Sequence, residues 1–394
     1  MNSHIVTLNA GSSSIKFALF QRKENEVSML ASGLAEMTGR DRHIEAHDAA
    51  GATLQEDRWS QSDGSSFHDE ALRRILSWRG RALPGAEISA VGHRVVHGGV
   101  HYDAPVLVAG EVLDRLRALV PLAPLHQPHN IDGIVAARNA WPQARQVACF
   151  DTAFHRNHPF VNDVFALPRR FYAEGVRRYG FHGLSYEYIA RRLAQISPAH
   201  AAGRVVVAHL GNGASMCAMK NGRSVASSMG LTALDGLPMG TRCGQLDPGV
   251  VLYLMQEKKL GAGEISDLLY KESGLKGLSG LSHDMRELEA SDLPEAAQAI
   301  DYFIFRIRRE LGGLAAVLQG LDAVVFCGGI GENSRLVRER ALEGMEWLGV
   351  ELDHDANRAN AEIISSANSR VRAFVIPTDE EQMIARHTFD LAGG

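Results

Sequence analysis

The 394-residue chain is 45% hydrophobic, which is enough apolar content for two or three domains with their own cores. It carries 41 Lys and Arg against 46 Asp and Glu, and the resulting net charge of −5 does not favour nucleic acid or an anionic membrane as a partner. Its four cysteines form no C-x-x-C pair, and it has no signal-peptide pattern and no apolar stretch long enough to span a bilayer, so we expect a cytoplasmic protein that acts on a small molecule.

The first predicted elements are two strands around an unusually polar turn. Apolar runs at 5–8 and 15–20, with a third near 28–30, are typical of a hairpin and the strand that follows it. Asn9, three serines and Lys16 surround the turn, and such donors suit phosphate oxygens, although a polar surface hairpin uses the same residue types. The string does not match the P-loop pattern G-x-x-x-x-G-K-[ST], which disfavours a Walker-type nucleotide site.

A second copy of this pattern begins about halfway along the chain. An apolar run at 205–210, a glycine turn at 211–213 and another apolar run lead to Asn221 and Gly222, a pair typical of a type I′ turn. Two such units predict a duplicated fold with one phosphate-sized turn in each half. The strings GNGASM and GGIGEN lack the third glycine of G-x-G-x-x-G, so a dinucleotide-binding fold is not supported.

The remaining pattern alternates between strands and helices. Strands are predicted at 90–96, 146–150, 323–327 and 371–376, and helices at 111–119, 184–196, 248–257, 296–318 and 335–343. This alternation predicts an α/β protein with mixed sheets covered by helices. The polar segment 40–66 is expected to be a loop or a variable insertion. We place the domain boundary at residue 150, which gives domains 1–150 and 151–384, with the C-terminal helix 385–394 completing the first domain.

Four charged or ionisable residues stand at strand ends or beside glycines. Arg94 ends an apolar strand in AVGHRVVHGG, and Asp151 follows another in ACFDTAFH. His182 in RRYGFHG and Arg242 in GTRCGQLDP are flanked by glycines, which indicates a close approach of the backbone to another group. A guanidinium is a natural clamp for carboxylate or phosphate. A solvated arginine, a turn aspartate and a core histidine are the commoner alternatives at single positions.

The last predicted helix begins in a run of acidic residues. After Pro377 the chain reads TDEE, in which Thr378 and Glu381 fit the capping box S/T-x-x-E. A capping box would give Glu381 a structural role. It would leave Glu380 to face a ligand.

Together these strings resemble the acetate kinase (acetokinase) family. The matching strings are TLNAGSSSIKF, GHRVVHGG, CFDTAFH, RRYGFHG, HLGNGAS, MGTRCGQLDPG, FCGGIGENS and PTDEE, and they run in that family's order and spacing from the first strand to the last helix. The family belongs to the superfamily of sugar kinases, actin and heat-shock chaperones. The resemblance therefore implies an α/β, duplicated ribonuclease H-like (actin-like ATPase) fold, with two domains of mixed sheets flanked by helices and a cleft between them.

The resemblance also implies roles for residues at the matching positions. It implies magnesium-associated residues at Asn9 and Glu380, and catalytic residues at Asp151, His182 and Arg242. The implied acetate-binding residues are Arg94 for the carboxylate and Val96, Leu125 and Pro238 for the methyl group. The implied ATP-binding residues are Lys16, His209, Leu210, Gly211, Asn212, Gly213, Asp284, Met285, Arg286, Gly329, Ile330, Gly331, Glu332 and Asn333.

The implied reaction is a reversible, direct in-line transfer of the ATP γ-phosphoryl group to acetate, giving acetyl phosphate and ADP for acetyl-CoA biosynthesis. It implies Mg²⁺, with Mn²⁺ as a substitute, and a homodimer. Because acetate is already ionised at neutral pH, it needs no general base, so Asp151 is expected to orient Mg²⁺ or Arg242, with the family's acid/base assignment as the alternative. Two other functions stay open: a kinase for propionate or other short-chain fatty acids, and an actin-like nucleotide switch.

Overall fold

The computed structural model describes residues 4–11, 14–23, 26–38, 41–60, 67–82 and 87–392, which fall into two compact units. Unit 1 contains Met1–Phe154 and Asp379–Gly394, and unit 2 contains His155–Thr378. The chain stays with unit 1 beyond residue 150 because the Asp151 backbone N–H donates to the Val95 carbonyl, at 3.0 Å, and the Thr152 hydroxyl accepts from the Gly98 N–H, also at 3.0 Å.

The strands are numbered in chain order. They are β1 (His4–Ala10), β2 (Ser14–Lys23), β3 (Glu26–Thr38), β4 (Asp41–Asp48), β5 (Thr53–Ser60), β6 (Ile88–Val95), β7 (Val106–Leu107), β8 (Arg145–Phe150), β9 (Arg204–Leu210), β10 (Ala214–Lys220), β11 (Arg223–Ser227), β12 (Ala323–Cys327) and β13 (Arg372–Val375).

The α-helices are numbered in the same way, and short 3₁₀ helices lie at Val120–Leu122, Ala153–His155 and Glu346–Leu348. The α-helices are α1 (Phe67–Ala82), α2 (Gly110–Ala118), α3 (Gln127–Ala140), α4 (Phe160–Asp163), α5 (Arg169–Ala173), α6 (Gly183–Ile196), α7 (Pro198–Ala201), α8 (Pro248–Gln256), α9 (Ala262–Lys271), α10 (Gly274–Ser279), α11 (Met285–Glu289), α12 (Pro294–Leu318), α13 (Gly328–Asn333), α14 (Arg335–Leu342), α15 (His354–Arg358) and α16 (Glu380–Ala392). In the part of the chain that the structure describes, no helix is long and apolar enough to cross a membrane.

The two sheets share the same order of five strands, and the sheet of unit 1 has three further strands. In unit 1 the order is β5-β4-β3-β2-β1-β6-β8-β7, and in unit 2 it is β11-β10-β9-β12-β13. In each, an antiparallel meander of three strands (β1–β3 or β9–β11) is followed by two parallel strands beside its first strand (β6 and β8, or β12 and β13). The type I′ turn is present, because Asn221 and Gly222 have φ of 52° and 70°. The predicted duplicated fold is confirmed.

The segment 40–66 was expected to be a loop, and this expectation is wrong for its described residues. They form β4 and the edge strand β5, which extend the sheet of unit 1. In β4 the side chains of Arg42, Ile44 and Ala46 are buried in alternation, but Arg42 is charged and hides the pattern; it pairs with the buried Glu70 of α1. The edge strand β5 is mostly exposed, and its polar residues suit that position.

The capping box predicted at Thr378 is wrong as well. The first turn of α16 is capped by Asp379, whose carboxylate accepts from the Gln382 N–H at 2.8 Å. The N-terminal cap of this helix therefore lies one residue later in the chain than predicted. Thr378 instead donates its hydroxyl to Ser185 Oγ at 2.8 Å.

Close helix packing determines where the candidate site residues of unit 1 lie. A β-carbon built on Gly92 of β6 would lie 2.2 Å from Thr388 Oγ1 and 2.6 Å from Ile384 Cγ2, so α16 rests directly on this strand. A β-carbon on Gly133 of α3 would lie 2.9 Å from that of Ala10 at the end of β1. The first contact brings α16 to the strand that carries Arg94, and the second brings α3 to the first hairpin.

Candidate active site

The first polar turn joins β1 to β2. Asn9 and Lys16 are neighbours in the register of this hairpin; the amide is half-buried and the ammonium is exposed. At the turn, the Gly11 N–H donates to the Ser14 carbonyl at 2.7 Å, and the Gly11 carbonyl lies 3.0 Å from Nε2 of His68 in α1. The other two serines of the turn lie outside the described residues. The contact with His68 thus connects the turn to α1.

Asn130 of α3 joins this hairpin to the strand end that carries Val96. Its amide donates to the Ala10 carbonyl at 2.8 Å, and its Oδ1 accepts from the Val96 N–H at 3.0 Å. The side chain is 3% exposed. Sequence reasoning missed Asn130, and the only signal was a polar residue where a helix should be apolar, in HQPHNIDG.

Arg94, Asp151 and Glu380 form one contact cluster in unit 1. The Asp151 carboxylate accepts from Arg94 Nε at 3.0 and 3.1 Å and from Nη2 at 2.8 Å, so the pairing is bidentate. On the other edge of the guanidinium, Nη1 lies 3.5 Å from Glu380 Oε2. The sequence predicted a ligand role for Arg94, but it did not predict that Asp151 would have Arg94 as its guanidinium partner.

The charges of this cluster shift the pKa values of its members. Burial raises the pKa of Asp151 to about 6, the Arg94 guanidinium opposes that shift, and Glu380 adds to it. Burial also raises the pKa values of Asp379 and Glu381, again with a contribution from Glu380. Burial lowers the pKa of Arg94, but the charges of Asp151 and Glu380 more than compensate and raise it. The cluster holds more negative than positive charge, which is the condition that a bound cation would relieve.

The proposed methyl-pocket residues are all at least half-buried. Val96 follows Arg94 at the end of β6 and is 8% exposed. Leu125 is half-buried, two residues before Gln127, whose amide donates to the His97 carbonyl at 3.0 Å. These contacts bring the segment that carries Leu125 to the one that carries Val96. Pro238 is buried in unit 2.

In unit 2, His182 has a strained backbone and a fixed ring. It precedes α6 with φ 58° and ψ 26°, a left-handed conformation that is uncommon for a residue other than glycine. Its Nδ1 lies 2.8 Å from Ser215 Oγ, and its ring stacks on that of His209, with centroids 4.3 Å apart. His209 Nδ1 lies 2.8 Å from Ser185 Oγ. Each imidazole is thus held by a serine.

His182 and Arg242 converge on the glycine turn between β9 and β10. A β-carbon built on Gly213 would lie 3.0 Å from Arg242 Nη2 and 3.2 Å from His182 Nε2. Arg242 is steadied by the Ala233 carbonyl, which accepts from its Nη1 at 2.8 Å. Two of the residues predicted as catalytic therefore meet at the turn predicted to bind phosphate.

The other predicted nucleotide segments lie around the same turn. A β-carbon on Gly211 would be 3.9 Å from the Gly329 nitrogen, so the start of α13 lies beside the turn. The Gly240 N–H donates to the Asn212 carbonyl at 3.1 Å, and a β-carbon on Gly240 would be 3.3 Å from that of His283. The structure thus brings 209–213, 240–242, 283–286 and 328–333 into one neighbourhood of unit 2.

Several side chains in these segments have structural contacts. Glu332 Oε1 accepts from the Gly328 N–H at 2.8 Å and from the Thr378 N–H at 3.1 Å, and the Met285 side chain is 3% exposed. Asp284 caps α11, and hydrogen bonds from Arg286 lower its pKa to about 2.

The comparisons with known proteins agree on one family. The model of the acetokinase family matches residues 4–386. Acetate kinase of Methylocella silvestris is 73% identical over 397 residues, covering 99% of this chain and 98% of the relative. Acetate kinase of Rhodopseudomonas palustris is 54% identical, with full coverage of both chains.

Solved structures give the same result. The crystal structure of Porphyromonas gingivalis acetate kinase superposes with a TM-score of 0.88 at 38% identity, covering 99% of both chains. That of a propionate kinase from Francisella tularensis superposes with a TM-score of 0.91 at 36% identity, covering 99% of this chain and 100% of the other. The chain belongs to the acetokinase family.

Proposed function

We propose that this protein transfers the γ-phosphoryl group of ATP to acetate, reversibly, giving acetyl phosphate and ADP. Relatives of 73% and 54% identity that are acetate kinases support this activity. The structural observation that carries the proposal is a guanidinium, that of Arg94 near the end of β6, two residues before the buried apolar Val96. A cation beside an apolar residue is what a short-chain carboxylate requires.

Arg94 would bind the acetate carboxylate through Nη1. Its Nε and Nη2 are taken by Asp151, whereas Nη1 is 3.5 Å from Glu380, a weaker contact that a substrate carboxylate can replace. Asp151 is then a positioning residue that fixes the guanidinium plane. Acetate is ionised at neutral pH, so Asp151 has no proton to remove.

The transfer itself forms a bond from an acetate oxygen to the γ-phosphorus and breaks the bond from that phosphorus to the β-phosphate bridging oxygen. ADP leaves with the electron pair of the broken bond. The loose transition state places negative charge on the equatorial oxygens. Arg242 and His182, which meet at Gly213, would stabilise that charge, and the backbone of 209–213, with Lys16, would hold the nucleotide phosphates.

The acidic start of α16 is where we propose that a magnesium ion binds. Asp379, Glu380 and Glu381 are consecutive carboxylates with mutually unfavourable charges, and Asn9 adds an amide oxygen on β1, against which α16 packs. Mg²⁺ is held in such sites by one or two carboxylates plus substrate phosphates. When bound, it neutralises charge on the β- and γ-phosphates. Glu380 and Asn9 are the residues that we propose for this task.

We also propose a homodimer in the cytoplasm. Helix α8 buries none of its residues and exposes Val250, Leu252, Tyr253 and Met255, a concentration of apolar surface typical of an interface. All four cysteines are free, as in a reducing compartment.

A preference for propionate is the second candidate, because a propionate kinase of 36% identity shares the fold. One methylene in an apolar pocket changes selectivity by roughly 1–3 kcal/mol. We expect wild type to prefer acetate, and Val96→Ala to raise kcat/KM for propionate relative to acetate by about tenfold. Exposed Val135 offers a matched control in Val135→Ala. An unchanged ratio in Val96→Ala would refute the methyl-pocket assignment, and a wild-type preference for propionate would favour the second candidate.

A further inference from the structure

The buried hydroxyl groups of Ser215 and Tyr186 form a hydrogen-bonded chain that ends at His182. His182 Nδ1 is 2.8 Å from Ser215 Oγ, and Ser215 Oγ is 2.5 Å from the Tyr186 hydroxyl oxygen. Ser215 and Tyr186 are both 0% exposed. Among the described residues, the Tyr186 hydroxyl hydrogen-bonds only to Ser215 Oγ, and Ser215 Oγ only to the Tyr186 hydroxyl and His182 Nδ1.

Only one placement of the protons gives every O–H group in this chain a hydrogen-bond acceptor. If the tyrosine O–H donates to Ser215 and the serine O–H donates to His182 Nδ1, every O–H has an acceptor. If Nδ1 carried a proton and donated to Ser215, either the serine or the tyrosine O–H would be buried without an acceptor. A buried unpaired donor is costly, so the first arrangement is favoured.

We propose that Ser215, backed by Tyr186, is a positioning residue that holds His182 as the neutral tautomer protonated on Nε2. This inference rests on the proposed function, since its value lies in presenting a fixed N–H donor to a phosphoryl oxygen. Nε2 is the ring atom that faces Gly213, at 3.2 Å from the built β-carbon. Burial also raises the pKa of Tyr186, so its hydroxyl stays protonated and able to donate.

The groups around His182 favour the neutral ring. Arg242, which faces the same glycine, disfavours a second positive charge, and His209 stacks on the ring. Protonation of Nδ1 would also break the hydroxyl chain. The positive charge that faces the negatively charged transition state would then come from Arg242 and from the metal, and His182 would act as a neutral hydrogen-bond donor.

A histidine-selective ¹H–¹⁵N NMR titration tests this inference without substrate. The protein is labelled on its 17 histidines, and the His182 signals are assigned with a His182→Gln variant. We expect Nε2 to be protonated and Nδ1 to be unprotonated in wild type at pH 7. A proton on Nδ1 in wild type, alone or together with Nε2, would overturn the proposal.

Variants of the serine provide the second readout. Ser215→Ala should raise the pH at which His182 takes up its second proton by about one unit, with the acidic limb of kcat/KM moving equally, and Ser215→Thr should restore both. Tyr186→Phe, which keeps the serine donor, should retain the Nε2 tautomer. An unshifted titration in Ser215→Ala would contradict the proposal. If Ser215→Ala does not fold, the tautomer of His182 in wild type still tests the inference. A failure of the proposed function would appear separately, as wild-type protein that shows no acetate-dependent ADP release.

Discussion

Arg94 is shared by two carboxylates, and this sharing is the most informative contact in unit 1. Asp151 takes one edge of the guanidinium through two nitrogens, and Glu380 approaches the third nitrogen at 3.5 Å. One cation between two anions leaves a net negative charge. In the proposed function, Glu380 would exchange its contact with Arg94 for a metal ion, and Arg94 would exchange Glu380 for the substrate carboxylate.

If Asp151 positions Arg94, then Asp151→Asn should weaken acetate binding. The amide is nearly the same size but places an NH₂ group against a guanidinium and loses the charge-assisted pairing, which is worth about 1.5–3 kcal/mol. We expect the KM for acetate to rise by roughly 10- to 100-fold, with a smaller change in kcat. Steady-state kinetics at several Mg²⁺ concentrations and pH values measure this. A loss confined to kcat, insensitive to Mg²⁺ and with a shifted pH profile, would indicate a proton-transfer role instead.

The raised pKa of Asp151 predicts a pH dependence of stability in the ligand-free protein. Burial raises this pKa from 3.8 to about 6, so folding favours the protonated carboxyl. This stabilisation is complete below the pKa of Asp151 in the unfolded chain, and it is lost as the pH rises through the pKa of Asp151 in the folded protein. In thermal unfolding without Mg²⁺, the stability of Asp151→Asn relative to wild type should increase between about pH 4 and pH 7. A constant difference, or the opposite slope, would mean that Asp151 is ionised throughout.

At this scale the sequence pointed to the proposed catalytic side chains more readily than to the residues that hydrogen-bond to them. Arg94, Asp151, His182 and Arg242 stand out because charge at a strand end or between glycines is unusual. Asn130 and Ser215 do not, since a single amide in a helix or a serine in a strand has many uses. Their importance depends on buried partners that are distant in the chain.

Among the elements, the turn between β9 and β10 contains a glycine, Gly213, that lies against both Arg242 and His182. A methyl group on Gly213 would press against both Arg242 Nη2 and His182 Nε2. We expect Gly213→Ala to lower kcat by at least about tenfold with little loss of thermal stability, because the groups it displaces are those that we propose to stabilise the transition state. Gly263→Ala in α9, where a β-carbon meets nothing within 4 Å, is the matched control. Equal kcat values in the two variants would contradict the assignment of this turn.

The elements themselves were predictable where the local pattern was simple. The apolar runs at 205–210 and 323–327 became strands, and the periodic segment 296–318 lies within α12. The prediction of a loop at 40–66 failed because a buried ion pair between Arg42 and Glu70 interrupts the alternation of apolar residues. It also failed because an edge strand needs little apolar surface. The capping box at Thr378 failed because Asp379, one residue on, is an equally good cap.

Over the whole molecule, the repeated strand order explains why each unit carries one polar turn. In both sheets the meander's first hairpin turn lies at the end of a central strand, beside two parallel strands. One turn lies in the unit that holds most of the residues proposed for acetate and metal, and the other lies among most of the residues proposed for the nucleotide. Sequence repetition alone was sufficient to predict this duplication.

Self-association is expected to depend on α8. Sedimentation at equilibrium should give twice the chain mass of 42.8 kDa for wild type, and Leu252→Asp should shift the protein toward the monomer, because a charge would be buried at the interface. Leu107→Asp, at an exposed leucine of unit 1, should remain dimeric. A wild-type monomer would contradict the proposal.

The most direct test follows ADP release and acyl phosphate formation together. Purified protein with ATP and Mg²⁺ is assayed with and without acetate, and hydroxylamine traps any acetyl phosphate. We expect ADP release to require acetate and to match acetyl hydroxamate one for one, and Arg94→Ala to abolish both. ADP release that proceeds without acetate and yields no hydroxamate would contradict phosphoryl transfer to a carboxylate and favour a nucleotide switch.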